Sequence, residues 1–147
     1  MHLRVLVADD NLLFAEALTQ LLEADERIQV VGCAYNGAEA VDFARKLEPD
    51  VVLTDIIMPL MTGIEATHRI LAFNPETTVV LMSAHSSPSE AEEGLRAGAS
   101  GYVTKDDLGL WLVETVLAHA AAKRRELAAR FSDLRLPSVS GRLAASA

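Results

Sequence analysis

The residues of this sequence with the most chemistry to offer are Asp9, Asp10, Asp55, Ser83 and Lys105. Asp55 sits in "VVLTDIIMPL", residues 51–60, where the other nine residues are uncharged. A carboxylate in such company is costly to desolvate unless something compensates it. Asp9 and Asp10 follow "RVLVA", Ser83 follows "VVLM" and Lys105 follows "GYVT". Three carboxylates brought together repel one another and raise some of their own pKa values unless cations neutralise them. Lys105 brings one positive charge. A divalent cation with oxygen ligands, such as Mg2+, would bring the rest. Ser83 has a hydroxyl to donate to an anion. Aspartate can accept a phosphoryl group covalently, and phosphoryl transfer needs mainly positioning and charge neutralisation. Each residue alone has a plainer reading. Asp10 can cap a helix, Asp55 can begin a loop, Ser83 can bond a turn and Lys105 can sit in solvent. Only their joint placement points to a site.

That placement depends on the elements around them. Short apolar runs, "LRVLVA" (3–8), "IQVVGCAY" (28–35), "VVLT" (51–54), "TTVVLMSA" (77–84) and "GYVT" (101–104), read as strands. Between them lie helix-like segments. "NLLFAEALTQLLEAD" carries Phe14, Ala17, Leu18 and Leu21 at helical spacing, with Asp10 or Asn11 as its N-cap. "NGAEAVDFARKLEP" places Val41, Ala44 and Leu47 on one face, and "GIEATHRILAF" (63–73) follows. "PSEAEEGLRAGA" (88–99) is weaker, because its internal Gly94 costs about 1 kcal/mol relative to alanine. A last helix starts near Asp106 or Asp107, either of which can cap it. Strands apolar on both faces, alternating with helices, predict a parallel sheet covered on both sides. Sites in such sheets form beyond the carboxyl ends of the strands. The chemistry-bearing residues occupy four of those five ends.

The bulk numbers agree with this reading. A chain of 147 residues, 50% hydrophobic and 23% charged, suits one compact domain. No apolar run approaches the roughly 20 residues of a membrane span, and the N-terminus enters a strand with no signal-peptide pattern. Cys33 is the only cysteine, which suits a reducing cytoplasm. Residues 1–107 hold 7 basic and 18 acidic side chains, and residues 108–147 hold 6 and 3. So acidic a body argues against direct nucleic-acid binding.

The stretches "VLVADD", "VVLTDIIMPLMTG", "VVLMSAH" and "AGASGYVTKDD", with the spacing between them, resemble the receiver domain of bacterial two-component response regulators. The resemblance covers about residues 2–120. It implies a flavodoxin-like (βα)5 fold with a doubly wound parallel sheet of order 2-1-3-4-5, an order carried over from the family and not read from the residues. It also implies a signalling module that catalyses only its own phosphotransfer and slow dephosphorylation. In that likeness Asp55 is the phosphoacceptor. Asp10, Asp55, the backbone carbonyl of Ile57 and, through water, Asp9 hold Mg2+ or Mn2+. Ser83 and Lys105 contact the phosphoryl group, Tyr102 and Ser83 form the switch, and Ile57 and His85 tune the lifetime of the phosphorylated state. Ala84 leaves room for Tyr102 to turn, and Pro59 fixes the turn after the acceptor. Receivers commonly carry proline after the lysine, often with a cis bond. Here Asp106 follows, and a non-proline cis bond costs about 3 kcal/mol, so a trans bond is expected. "GYVTKDD" resembles the nitrate-response-regulator subgroup in particular. Enzymes with an aspartyl intermediate usually place a second acid two residues after the nucleophile, where this chain has Ile57.

Receivers of that subgroup usually precede a DNA-binding domain, for which this chain has no room. The expected division is a receiver over 1–122 and a helical extension with a disordered tail over 123–147. Leu127, Phe131 and Leu134 continue an apolar stripe from Leu112 and Val116, and Lys123, Arg124 and Arg125 form a basic cluster. The expected partners are a histidine kinase or phosphotransfer protein. A second copy of the chain could also join, through the face of the fourth helix, fifth strand and fifth helix or through the last helix. The alternative is a receiver fragment of a DNA-binding transcriptional regulator.

Overall fold

The computed structural model describes residues 2–134, apart from the side chains of Leu110, Asp133 and Leu134. The expected disorder of "LPSVSGRLAASA", residues 136–147, lies outside the described residues. Five strands alternate with five helices: β1 (Leu3–Ala8), α1 (Leu12–Glu23), β2 (Ile28–Ala34), α2 (Gly37–Leu47), β3 (Val51–Asp55), α3 (Gly63–Phe73), β4 (Thr78–Ser83), α4 (Pro88–Arg96), β5 (Gly101–Thr104) and α5 (Lys105–Leu134). All strand pairs are parallel, in the order β2-β1-β3-β4-β5. This is the flavodoxin-like sheet that the family resemblance implies.

The two-residue period of the strands sorts the core. Val5, Val7, Leu53, Val80 and Met82 pack with Leu18 and Leu22 of α1 and with Leu112 and Val116 of α5. Leu6, Val52, Val79 and Leu81 pack on the other face with Ala44 of α2 and Ile70 of α3. Ten of the twelve largest fully buried side chains lie on β1, β3 and β4, so the strands that end at the acids and at Ser83 are the most firmly held. Each such burial contributes about 1.5–3 kcal/mol.

Side-chain caps start four helices. Asn11 accepts from Phe14 N, Asn36 from Glu39 N, Thr62 from Glu65 N and Ser87 from Glu90 N. Asn11, not Asp10, caps α1; a carboxylate oxygen of Asp10 lies within 4.8 Å of oxygens of Asp9 and Asp55. Asp106 and Asp107 are not caps either. α5 begins one residue earlier, at Lys105, which puts both acids in its first turn, where they favour the positive end of the helix. Thr104 Oγ1 donates to Asp107 there at 2.7 Å. No cis peptide bond occurs among the described residues, so Lys105–Asp106 is trans as expected.

Gly94, a weakness by propensity, has a packing reason. A Cβ there would overlap Leu81 Cδ1, so the glycine lets α4 lie close on β4. α5 runs for 30 residues, about 45 Å at 1.5 Å per residue. Its apolar stripe is buried at Leu112 and Val116, half-buried at Leu127 and open at Phe131, which is 70% exposed. In the basic cluster Lys123 is buried, while Arg124 and Arg125 are exposed. No described helix is long and apolar enough to cross a membrane.

Candidate functional site

β1 ends at Ala8 and delivers Asp9 and Asp10 into the loop before α1. β3, adjacent to β1 in the sheet, ends on Asp55. One carboxylate oxygen from each of Asp9, Asp10 and Asp55 lies within 4.8 Å of the others. Asp9 is fully buried, Asp55 is buried and Asp10 is exposed. Lys105, the first residue of α5, reaches back between them. Its Nζ stands 2.7 Å from Asp9 Oδ2 and 3.3 Å from Asp55 Oδ2. It also lies 4.4 Å from the centre of the Phe14 ring, whose face favours a cation. Sequence reasoning assigned Phe14 only to the apolar stripe of α1. Its place three residues after the capping Asn11 was the available signal, because that turn leads directly from the acid pair.

The charges do not balance. Burial, then the charge of Asp9, push the Asp55 carboxyl above its ordinary value, against the opposing pull of Lys105. Burial also opposes the charge of Lys105, but its pairing with Asp9 and the charge of Asp55 outweigh this and hold the ammonium above its ordinary value. Among the described residues, the Lys105 ammonium pairs with two of the three clustered acids, Asp9 and Asp55.

Both oxygens of Asp9 are engaged. Asp9 Oδ1 accepts from Asn11 N at 2.9 Å. Asp9 Oδ2 is buried, and the Lys105 ammonium is its partner at 2.7 Å. The three clustered carboxylates make an all-oxygen, net negative setting that suits a hard divalent cation such as Mg2+.

Behind Asp55 the backbone is packed without slack. Ile56 N donates to Met82 O at 3.1 Å, Gly63 N to Ile56 O at 2.7 Å, and Thr67 Oγ1 to Gly63 O at 2.7 Å. A Cβ on Gly63 would overlap Asp55 O. Pro59 O accepts from Met61 N at 2.8 Å and from Gly37 N at 3.3 Å, and Leu60 between takes φ 70°. Pro59 thus sits in a tight turn, as expected. Met58 is buried, while Ile57 is 73% exposed at the rim.

Ser83 occupies the end of β4, one residue past the partner of Asp55 in register, and pairs with Thr104 of β5. Its hydroxyl serves the following loop rather than the acids. It donates to His85 O at 2.6 Å, accepts from His85 N at 3.2 Å and lies 3.4 Å from Glu90 Oε1. Tyr102 is half-buried on the neighbouring strand. Its hydroxyl donates to the same His85 O at 2.9 Å and accepts from Ser87 N at 3.0 Å. The His85 side chain is exposed, and it is the main-chain carbonyl of this residue that both hydroxyls share. The structure therefore brings together Asp9, Asp10, Asp55 and Lys105, and links Ser83 to Tyr102 through His85. Glu90 was missed by sequence reasoning.

A large concavity of about 760 Å³ lies away from these groups, at the opposite ends of the strands, between Arg45, Glu48, Phe73, Glu76 and Lys123. It holds none of the acids. The open edge, not a pocket, is the candidate site.

Residues 5–110 match the family described as the response regulator receiver domain. Response regulator GacA of Pseudomonas viridiflava is 41% identical over 116 residues, which are 79% of this chain and 53% of that protein. The signal receiver domain of NarL from Mycobacterium tuberculosis superposes with a TM-score of 0.78 at 35% identity, covering 82% of this chain and 97% of that one. A chain of the CheX–CheY–BeF3–Mg2+ complex from Borrelia burgdorferi gives a TM-score of 0.66 at 30% identity, covering 69% of this chain and 77% of that one. The chain spans about half the length of most of the curated relatives it matches.

Proposed function

Because the chain belongs to the response regulator receiver domain family, we propose that it receives a phosphoryl group on Asp55 and passes the resulting change to a partner. The observation that carries the proposal is the gathering of Asp9, Asp10 and Asp55 at the carboxyl edge of the sheet, with the Lys105 ammonium on Asp9 and Asp55. In the reaction, an oxygen of the Asp55 carboxylate attacks phosphorus. The bond from phosphorus to the imidazole nitrogen of a histidine kinase or phosphotransfer protein breaks, and the imidazole leaves. Asp10, Asp55 and the Ile57 carbonyl would hold Mg2+ or Mn2+, with Asp9 bound through water. Such an ion would neutralise charge that builds on the phosphoryl oxygens. Lys105 takes over the same oxygens from its position between the acids. Ser83 reaches them by turning its hydroxyl away from His85 O, where the bond of 2.6 Å now holds it. Tyr102 and Ser83 then form the switch, a role supported by the carbonyl that both hydroxyls share, since a Ser83 hydroxyl that turns away leaves it to Tyr102 alone. The test is transfer of phosphate from acetyl phosphate to the Asp55 peptide, read by mass spectrometry.

Ile57 and His85 are assigned to the lifetime of the phosphorylated state. With Ile57 at the rim, its side chain limits the approach of water to a phosphoryl group on Asp55. Ile57→Asn is expected to shorten the half-life about 3- to 10-fold, which is about 1 kcal/mol in the barrier. An unchanged half-life removes the shielding role.

We further assign the chain to the nitrate-response-regulator subgroup and place its partner surface on α4, β5 and α5, where a second copy could also pair along α5. The similarity to the NarL receiver and the exposed Trp111 and Phe131 on α5 support this. A second reading keeps the chemistry and makes the chain the receiver portion of a DNA-binding regulator. Its support is the greater length of relatives named as transcriptional regulatory proteins. Intact mass and the adjoining reading frame distinguish the two readings.

A further inference from the structure

The sequence S-x-x-E at Ser87–Glu90 has the pattern of a capping box. In such a box the first side chain accepts from the backbone N–H of the fourth residue, and the fourth side chain reaches back to the N–H of the first. In α4 only half of the box is closed. Ser87 Oγ accepts from Glu90 N at 3.3 Å. Ser87 N–H donates not to Glu90 but to the Tyr102 hydroxyl, at 3.0 Å. The displaced Glu90 carboxylate stands 3.4 Å from Ser83 Oγ instead. In α2 the acid at the same helix position does reach back to the chain before the helix, where Glu39 Oε1 accepts from Tyr35 N at 2.9 Å, one residue ahead of the Asn36 cap.

We propose that Glu90 is a positioning residue that exchanges between two donors, the Ser87 amide and the Ser83 hydroxyl, according to where Tyr102 lies. With the tyrosine hydroxyl on the Ser87 amide, as here, the carboxylate is turned toward Ser83. There it competes with His85 O for a hydroxyl that has one proton to give. With that hydroxyl withdrawn, Glu90 closes the capping box and leaves Ser83. The tyrosine has freedom to do this, because its ring is only partly buried on the edge strand β5. The position of Tyr102 thereby sets whether a negative charge stands beside the hydroxyl that the phosphoryl group must recruit. That consequence rests on Asp55 being the phosphoacceptor; the exchange itself does not.

The test therefore uses the unphosphorylated full chain. Amide hydrogen exchange of Ser87 is measured against that of Ala91, whose N–H donates to Ser87 O at 3.0 Å and reports on α4 itself. Neither Tyr102→Phe nor Glu90→Ala alone should change the Ser87-to-Ala91 ratio much, because one acceptor remains in each. The double variant should raise the ratio about 5- to 10-fold, the factor expected for loss of one ordinary hydrogen bond. Tyr102→Phe combined with Glu90→Gln should restore it, because the amide oxygen still accepts. A ratio that rises as far in Tyr102→Phe alone as in the double variant overturns the exchange. So does a ratio that stays flat in all variants, including one where both amides speed up together.

Discussion

Replacing Gly63 by alanine is expected to lower folding stability by about 3 kcal/mol, near the upper end for an overpacked position. The added Cβ would overlap Asp55 O and lie 2.9 Å from Asp55 C and 3.0 Å from Ile56 Cα. All three are backbone atoms, so no side chain can swing aside. Either the end of β3 or the start of α3 has to move. Movement there strains the 2.7 Å bond from Gly63 N to Ile56 O and displaces the carboxylate that the bond holds in place. Gly94 is a useful contrast. Its added Cβ would meet the tip of the Leu81 side chain, which can rotate, so a smaller loss is expected from the same substitution there. Urea unfolding of Gly63→Ala measures the loss. A value under about 1 kcal/mol would mean that the turn after Asp55 has slack and is not what positions the acid.

Lys105→Met has the second large effect, and it depends on pH. Methionine keeps an apolar stem over Phe14 and removes the ammonium that stands between Asp9 and Asp55, both buried. Removing one partner of a buried ion pair costs about 3–5 kcal/mol. Lys105 is itself partly exposed, so about 2–3 kcal/mol is expected at neutral pH without divalent cations. The sign follows from Asp55, whose folded pKa already lies above the ordinary value of 3.8. Between those two values the folded state binds more protons than the unfolded state, so stability falls as pH rises through that window. Without Lys105 the folded pKa moves further up and the fall becomes deeper. Below the unfolded value Asp55 is protonated in both states, so its part of the penalty should disappear and the variant should move toward wild type. Added Mg2+ should recover part of the loss at neutral pH. A penalty that is the same at pH values of about 3 and about 7 would place the role of Lys105 in packing rather than charge.

The fold was largely legible because its signals are local and repeated. Each strand is a short apolar run and each connection is an amphipathic helix, and these patterns fix a covered parallel sheet whose carboxyl edge can be searched for chemistry. Asp9, Asp10, Asp55 and Lys105 came out of that search and do meet in space. Helix starts were less legible. Asn11 caps α1 because it is the extended residue directly before Leu12, and Lys105 begins α5 one residue before the acids expected to cap it. The state of the Ser83 hydroxyl was not legible at all. It depends on a loop carbonyl at His85 and on a tyrosine on the neighbouring strand, contacts that no periodicity encodes. Glu90 escaped for the same reason. As a sequence it is an ordinary capping acid, and only the hydroxyl of Tyr102, twelve positions later, moves it off that duty.

The most direct measurement of the central claim compares wild type with Asp55→Asn during incubation with acetyl phosphate, with Mg2+ present or chelated. Intact mass and peptide mapping follow the product. Wild type is expected to gain one phosphoryl group, on the Asp55 peptide and only with Mg2+, and Asp55→Asn is expected to gain none. A wild-type protein that gains no phosphate, or an Asp55→Asn protein that gains as much, contradicts the assignment of Asp55 as the acceptor.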